Sequence, residues 1–556
     1  MKKRWCLQQP EENVLLNETT HLSRLAAKLL FLRGIRQPDA IAPFLHGAEA
    51  TDRDPFDLKG MHAAVRRIRT AIEQKEQIIV YGDYDADGVT ASALLVSALR
   101  DLGAVADVFI PDRFEHGYGL HVEAINQLAA MGACLMITVD CGIRGLEQVE
   151  HANQLGVDVV VTDHHQPGEI LPDALAIIDP KQPGCTYLHK GLAGVGLAYK
   201  LAQALDKDVA ERYLDFVAIG TVADLAPVVG ENRDLVRKGM AQLEQSSRPG
   251  LKALMSKVGS AGQRVTSNTI GYRIGPRINA AGRIRSAGLA YALLMTEEQS
   301  QAEALADELE RINRDRRDIT KNIVDKALSM TDNTEETPPF VFAFDEDFNE
   351  GVVGLAASRL VERHFRPAAV GTISGEFIRA SVRSIPEFNV IQALDTCAHL
   401  LERYGGHSAA AGFTVRKAKQ GMLTEKLSSL AARAFGSKEL LPTINIDASV
   451  SFLELDDALL DFLEALEPYG PGNPVPIFST YGASITDRRR VGKDRQHLKF
   501  ILKHDGVHRE AIGFGMGDMD DQLGNVVDVV YHLERNEYRG ISKPQLRMLD
   551  IKNAEA

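Results

Sequence analysis

Between about residues 60 and 230, short apolar runs rich in β-branched residues alternate with longer stretches of helical periodicity. The runs are QIIVYG (77–82), ADVFIP (106–111), CLMITVD (134–140), DVVVTD (158–163) and LAIIDP (175–180). Runs that are apolar almost throughout, rather than at every second position, predict strands buried on both faces. That means a parallel sheet with helices packed on each side. In such sheets ligands gather where the strands end at their carboxyl edge. Asp83, Asp140 and Asp163 stand at or just past three of those ends, so the topology predicts that carboxylates far apart in sequence converge.

Residues 297–328 predict one long connecting helix, with Ala302, Leu305, Leu309, Ile312, Ile319, Ile323 and Ala327 on a single stripe. TDNTEETPP (331–339) breaks it, and PFVFAFD opens a second α/β region running to about 435. Beyond LLPTINIDASV come short strands with turn signals, among them EPYGPGNPVPIF (467–478), RRRVGKDRQHLKFILK (488–503) and VVDVVYHLERNEY (526–538). That pattern suits a small β-barrel. The expected divisions are an N-terminal segment 1–45 with one short helix (LSRLAAKLLFLRG), a catalytic α/β domain 46–295, a connecting helix 296–330, a second α/β domain 331–440 and a barrel 441–556.

Composition narrows the class. Of 556 residues 45% are hydrophobic, which excludes a disordered or fibrous chain. The net charge of −13 repels polyanions, so any binding of nucleic acid has to come from local basic patches or metal ions. One such patch carries six Lys/Arg among the thirteen residues Arg488 to Phe500. The five cysteines form no CxxC pair, which suits a reducing compartment. The N-terminus lacks the apolar run of a signal peptide, and no apolar stretch is long enough to cross a bilayer. A soluble cytoplasmic protein is expected, with no membrane partner.

YGDYDADGVTAS (81–92) sets three aspartates at alternate positions just after a strand, where their repulsion calls for bound cations. An EF-hand fails here, because position twelve is Leu94 and a strand precedes the loop; a solvated acidic turn is the plainer alternative. VVVTDHHQP (159–167) adds Asp163, His164 and His165, TVDCGI adds Asp140, and GTVADL adds Asp224. Mixed carboxylate and imidazole donors suit Mn²⁺ or Mg²⁺ better than structural zinc. Two such ions can activate water and neutralise a phosphoryl group, which points to phosphoester hydrolysis.

GLAGVGLAY (191–199) lacks the final glycine of a dinucleotide site, and no nucleotide-binding P-loop occurs. GYRIGPRINAAGRI (271–284) holds Arg273, Arg277, Asn279 and Arg283, either as an ordinary basic surface or as phosphate contacts. YGGHSAAAGF (404–413) reads as a helix entry whose free N–H groups could hold an anion.

Taken in order, DYDADG, TVDCG, TDHH, ADL, IGPRINAAGR, RSIP and GGHSAAAGF resemble the DHH phosphoesterase superfamily with its associated C-terminal DHHA1 domain. Within it, the chain more closely resembles the single-strand-specific DNA exonucleases that end in an OB fold. The resemblance implies a 5′-to-3′ exonuclease releasing mononucleotides in DNA repair and recombination, with two Mn²⁺ or Mg²⁺ ions. It implies Asp85, Asp87, Asp140, His164 and Asp224 as metal ligands, with Asp140 bridging. Asp83 and Asp163 are implied as ligands or supports, and His165 as the contact to the scissile phosphate. Arg113, Ser381 and Arg383 correspond to a 5′-phosphate pocket, and Arg277, Asn279 and His407 to contacts with the nucleic-acid backbone. Single-stranded DNA is the implied partner of a monomer, alongside single-strand-binding protein and a RecQ-type helicase. Two alternatives stay open: a phosphodiesterase for short oligoribonucleotides or cyclic dinucleotides, and a non-catalytic replication factor. The chain departs from the pattern at Phe348–Asn349, where relatives often have Trp-His, and at Glu387, where they often have Gly.

Overall fold

The computed structural model describes residues 2–9, 22–47, 53–115, 117–331, 337–538 and 541–554. The five apolar runs form one parallel sheet in the order Val105–Phe109, Gln77–Tyr81, Ala133–Val139, Asp158–Thr162, Ala176–Ile178. Alternation along each strand sends side chains to two different cores. Ile78 and Val80 pack with the helices Ala86–Asp101 and Gly194–Leu205, while Ile79 and Tyr81 pack with Val122–Ala130 and Leu146–Gln154.

The long helix spans Gln299–Thr331. Ala302, Ala306, Leu309 and Ile312 sink into the core of the catalytic unit, and Ile323 and Ala327 sink into that of the second unit. One rigid element therefore belongs to both cores, which fixes the two units relative to one another. Most of the predicted break, residues 332–336, lies outside the described residues. The second unit carries a mixed five-stranded sheet in the order Leu401–Gly406, Ala410–Arg416, Phe377–Arg383, Ala368–Ser374, Val341–Asp345.

Here one expectation is corrected: GGHSAAAGF is a strand–turn–strand, not a helix entry. Ala411, Phe413 and Val415 alternate as buried residues along a strand paired with Phe377–Arg383. The period-two pattern of AAGFTVR prevails over the helix propensity of alanine.

In the C-terminal region the strands Phe478–Val491, His497–His504, Val507–Gly513, Ile541–Asn553 and Val526–Tyr538 close on themselves, because the first also pairs with the last. This is the expected OB-type barrel. Its core is not built from 441–556 alone. Ala27, Leu29 and Leu30 of the helix Arg24–Leu32 pack with Phe478, Phe500 and Leu546, and Arg4–Leu7 pairs in parallel with Thr443–Ile446. The N-terminal segment is thus part of the barrel unit rather than a separate piece.

Burial of Leu30 in that shared core predicts that Leu30→Ala costs about 2–5 kcal/mol of barrel stability. Trp5 reports on it, since it is the sole tryptophan and its indole N–H donates to Asp550 Oδ2 at 2.7 Å. The midpoint of urea unfolding followed by Trp5 fluorescence should drop; an unmoved midpoint would separate the helix from the barrel core.

Candidate metal centre and phosphate cleft

The metal centre is built by backbone groups that hold carboxylates in place. Asp85 caps the helix Ala86–Asp101, its Oδ1 accepting the N–H groups of Asp87 (2.9 Å) and Gly88 (3.1 Å). Asp87 lies in the first turn of that helix and is fully buried. Its two oxygens accept the N–H groups of Gly194 (2.7 Å) and Val195 (2.8 Å) at the start of a second helix. The glycine-rich stretch that fails as a dinucleotide loop therefore aims a helix N-terminus at Asp87. A Cβ at Gly194 would also lie 2.6 Å from the Cβ of Asp140, so the close approach needs glycine. Asp140 itself adopts a left-handed φ of 62°, an uncommon conformation that turns its carboxylate at the strand end.

The ligand atoms fall into overlapping groups, each within 4.8 Å: Asp83 with Asp85 and Asp140; Asp87 with His164 and Asp224; and Asp140 with His164 and His165. Asp140 is common to two of them. His164 Nε2 and Asp140 Oδ1 approach to 3.0 Å, yet both are buried without a hydrogen-bond partner, as is Asp83 Oδ1. Buried polar atoms aimed at one another and left unpaired fit divalent cations.

Electrostatics agree. Burial, then the charge of Asp85, pushes the Asp83 carboxyl up to about 8 and that of Asp224 up to about 7. Burial and the neighbouring aspartates raise Asp87 and Asp140 well above the ordinary carboxylate range. Burial and His165 push His164 down to about 3, so it is the neutral imidazole that a metal requires.

Asp163 and Asp83 now separate. Asp163 spends its carboxylate on the N–H groups of Ile143, His164 and His165 and on His165 Nδ1 at 2.8 Å, which makes it an orienting group. Burial opposes charge on His165, but the Asp163 bond prevails and raises it to about 9, so it is cationic at neutral pH.

Next to this centre lies a cleft of about 410 Å³ lined by Tyr84, Arg113, Tyr118, Arg379, Ser381 and Arg403. Strand alternation puts Arg379, Ser381 and Arg383 on one face. Arg383 Nη2 and Ser381 Oγ both lie close to Gly354 at the start of the helix Val353–His364. The Arg113 guanidinium lies 4.2 Å over the ring of Tyr84, and its Nε is buried without a partner. Tyr118, passed over in the sequence, lines the cleft and places its hydroxyl 3.1 Å from His165 Nδ1, so the cleft opens onto the metal centre. Arg283 lies among these cations: burial, then Arg113, lowers it to about 10, and Arg316 and Arg383 add to the repulsion. Half-buried guanidiniums gathered in this way repel one another and favour an anion between them.

The three residues expected to contact the nucleic-acid backbone lie apart from this cleft lining. Arg277 is tied to Glu310 (2.6 Å) and to the carbonyl of Arg273 (2.6 Å), because the long helix passes beside it. Asn279 Oδ1 accepts the N–H of Ala86 at 2.9 Å, bracing the aspartate-bearing helix. His407 is exposed in the turn of the corrected hairpin. Asn349 Oδ1 accepts the N–H of Gly351 in a local turn. On the barrel, Arg488 and Arg490 pair with Asp520 and Lys499 with Glu510, leaving Arg489, Lys493 and Arg495 as the exposed positive tip.

Comparison with known proteins adds to this geometry. Residues 77–221 match the DHH family N-terminal domain, 337–433 the DHHA1 domain and 446–550 the RecJ OB domain. The chain is 37% identical to the single-stranded-DNA-specific exonuclease RecJ of Bacillus subtilis, over 100% of this chain and 71% of that protein. The chain belongs to the RecJ family. Escherichia coli RecJ is 32% identical over 97% of this chain and 98% of its own length. The crystal structure of RecJ in complex with Mn²⁺ from Thermus thermophilus matches with a TM-score of 0.85 at 31% identity, covering 100% of this chain and 80% of that one. The RecJ structure from the same organism in complex with Mg²⁺ matches with a TM-score of 0.80.

A pH prediction follows from the raised carboxyls. Folded Asp83 and Asp224 hold protons that the unfolded chain releases near its ordinary value of 3.8, so the stability they contribute is full below that value and is lost as pH rises through about 7 to 8. Chelated protein should therefore melt at a lower temperature at pH 8.5 than at about pH 6, and Mn²⁺ should close the gap. A melting temperature that rises with pH in chelator would contradict the assignment.

Proposed function

We propose that this chain is an exonuclease specific for single-stranded DNA that works from the 5′ end and releases mononucleotides by two-metal hydrolysis. The observation that carries the reading is the set of buried, unpaired ligand atoms opening onto a cleft walled by arginine. Asp83, Asp85 and Asp140 would hold one ion, with Asp87, His164 and Asp224 holding the other and Asp140 serving both. The ions, Mn²⁺ or Mg²⁺, supply Lewis acidity and water activation.

The chain's own groups do the rest. Asp163 holds His165 by Nδ1, which leaves Nε2–H to meet a phosphate oxygen and to steady the charge that develops there. Arg113, Ser381 and Arg383, drawn from two units, would take the 5′-terminal phosphate, with Arg283 beneath them. A strand seated by its end offers one phosphodiester to the ions, and polarity follows. A strand can approach despite the net charge of −13, because fields fade over about 8 Å at physiological salt. Monomeric state, a cytoplasmic setting and cooperation with single-strand-binding protein or a RecQ-type helicase rest on the resemblance alone. Among the described residues no helix is long and apolar enough to cross a membrane.

The direct test is a single strand labelled at either end and digested with and without chelator. Shortening from the 5′ end that chelator abolishes is the expected result; shortening from the 3′ end would refute the polarity. Asp140→Asn should lower the rate by orders of magnitude without unfolding the chain, and near-normal cleavage in added Mn²⁺ would remove Asp140 from the centre. A charged hydrogen bond is worth about 1.5–3 kcal/mol, so Arg383→Ala should cost roughly ten- to a hundred-fold in kcat/KM on 5′-phosphorylated strands. The loss should be much smaller on 5′-hydroxyl strands; an equal loss on both would make Arg383 a structural residue.

A further inference from the structure

Residues 467–476 are where three parts of the molecule meet. From the catalytic unit, Arg233 is 2% exposed and donates to the carbonyls of Phe44 (3.1 Å), Pro468 (3.1 Å) and Glu467 (3.0 Å), with its guanidinium 4.0 Å over the ring of Phe44. The N–H of Val228 donates to Pro471 at 2.7 Å. Ser267 Oγ donates to Glu467 Oε2 and accepts the N–H of Tyr469, both at 2.8 Å. From the N-terminal helix of the barrel unit, Arg33 donates to Asn473 Oδ1 and to the Pro474 carbonyl.

The other face of the same loop forms a wall of a cleft of about 1180 Å³. Tyr469, Gly470 and Pro471 stand on that wall, with Arg316, Lys321 and Arg359 also lining the cleft. Ala223 and Leu225, the chain neighbours of Asp224, line it too, so the cleft runs beside the segment that carries that carboxylate.

We infer that Arg233 is a positioning residue: it locks the 467–476 loop, and the barrel unit behind it, as a fixed wall of the track along which a long strand runs to the metal centre. The inference rests on the single-strand reading above. A buried cation whose hydrogen bonds go to carbonyls is tolerable only while those carbonyls keep their places, so it favours one placement of the loop. Chemistry at the end of the strand does not depend on that wall, whereas retention of the strand behind it does. Misplacement by about 1 Å can cost on the order of 10²-fold.

The experiment uses the full chain in Mn²⁺ with two 5′-phosphorylated substrates: a trinucleotide too short to run along the cleft, and a long single strand chased with a trap of unlabelled strand. Arg233→Ala should leave kcat/KM on the trinucleotide unchanged and shorten the run of nucleotides removed per encounter roughly ten-fold, with Arg233→Lys in between. An unchanged run length overturns the inference, and so does an equal loss on both substrates, which would make Arg233 a support of the catalytic unit as a whole. If Arg233→Ala fails to fold, Ser267→Ala decides at the same seam: a shorter run with intact trinucleotide cleavage supports the latch, and an unchanged run overturns it. Failure of the unaltered chain to cut either substrate would instead defeat the nuclease reading.

Discussion

Mutual repulsion among Asp83, Asp85, Asp87, Asp140 and Asp224 is the constraint around which the catalytic unit is arranged. Four of these carboxylates are held inward by something other than a salt bridge. Asp85 and Asp87 are gripped by the amides of two helix starts. Asp140 is turned inward by a left-handed backbone, and Asp224 follows the last turn of the helix Leu214–Ala223. At Asp85 and Asp87 the fold therefore supplies partial positive charge from helix N-termini where it could have used lysine or arginine. A fixed side-chain cation would compete with a metal, and these backbone amides do not.

Most of that centre was legible because its residues sit in strand-end motifs, where a parallel sheet leaves little freedom. The separation of Asp83 from Asp163 was not, because both aspartates follow strands and only their hydrogen bonds tell them apart. Tyr118 and the role of Gly194 were hidden for a different reason: each acts across a contact between segments distant in sequence. The hairpin at His407 was misread because Gly-Gly followed by alanine obeys helix grammar locally, and the strand Phe377–Arg383 overrides it. The basic patch was real in sequence but half spent in structure, since Asp520, Asp521 and Glu510 stand opposite it.

Division of labour follows from the two shared elements. The Gln299–Thr331 helix belongs to two cores and so couples the metal centre to the arginine cleft as a rigid pair. The barrel unit is joined to that pair at the 467–476 seam, through backbone carbonyls and a few side chains. Precision is concentrated where the phosphate is cut, and the barrel can be tuned for strand capture without disturbing it.

The pairing of the N-terminal helix with the barrel also has a consequence for biosynthesis. Leu30 packs in the same core as Leu546, so its burial waits for more than 500 further residues to be made. At about 5–20 residues per second that interval is on the order of 25–100 s, during which the apolar stripe LAAKLLFL is without its native cover. The catalytic unit between them holds its own core and can fold meanwhile. Nascent chains should then spend most of their synthesis with a finished catalytic unit and an unsheltered leading helix, a natural client for a holding chaperone at the ribosome exit.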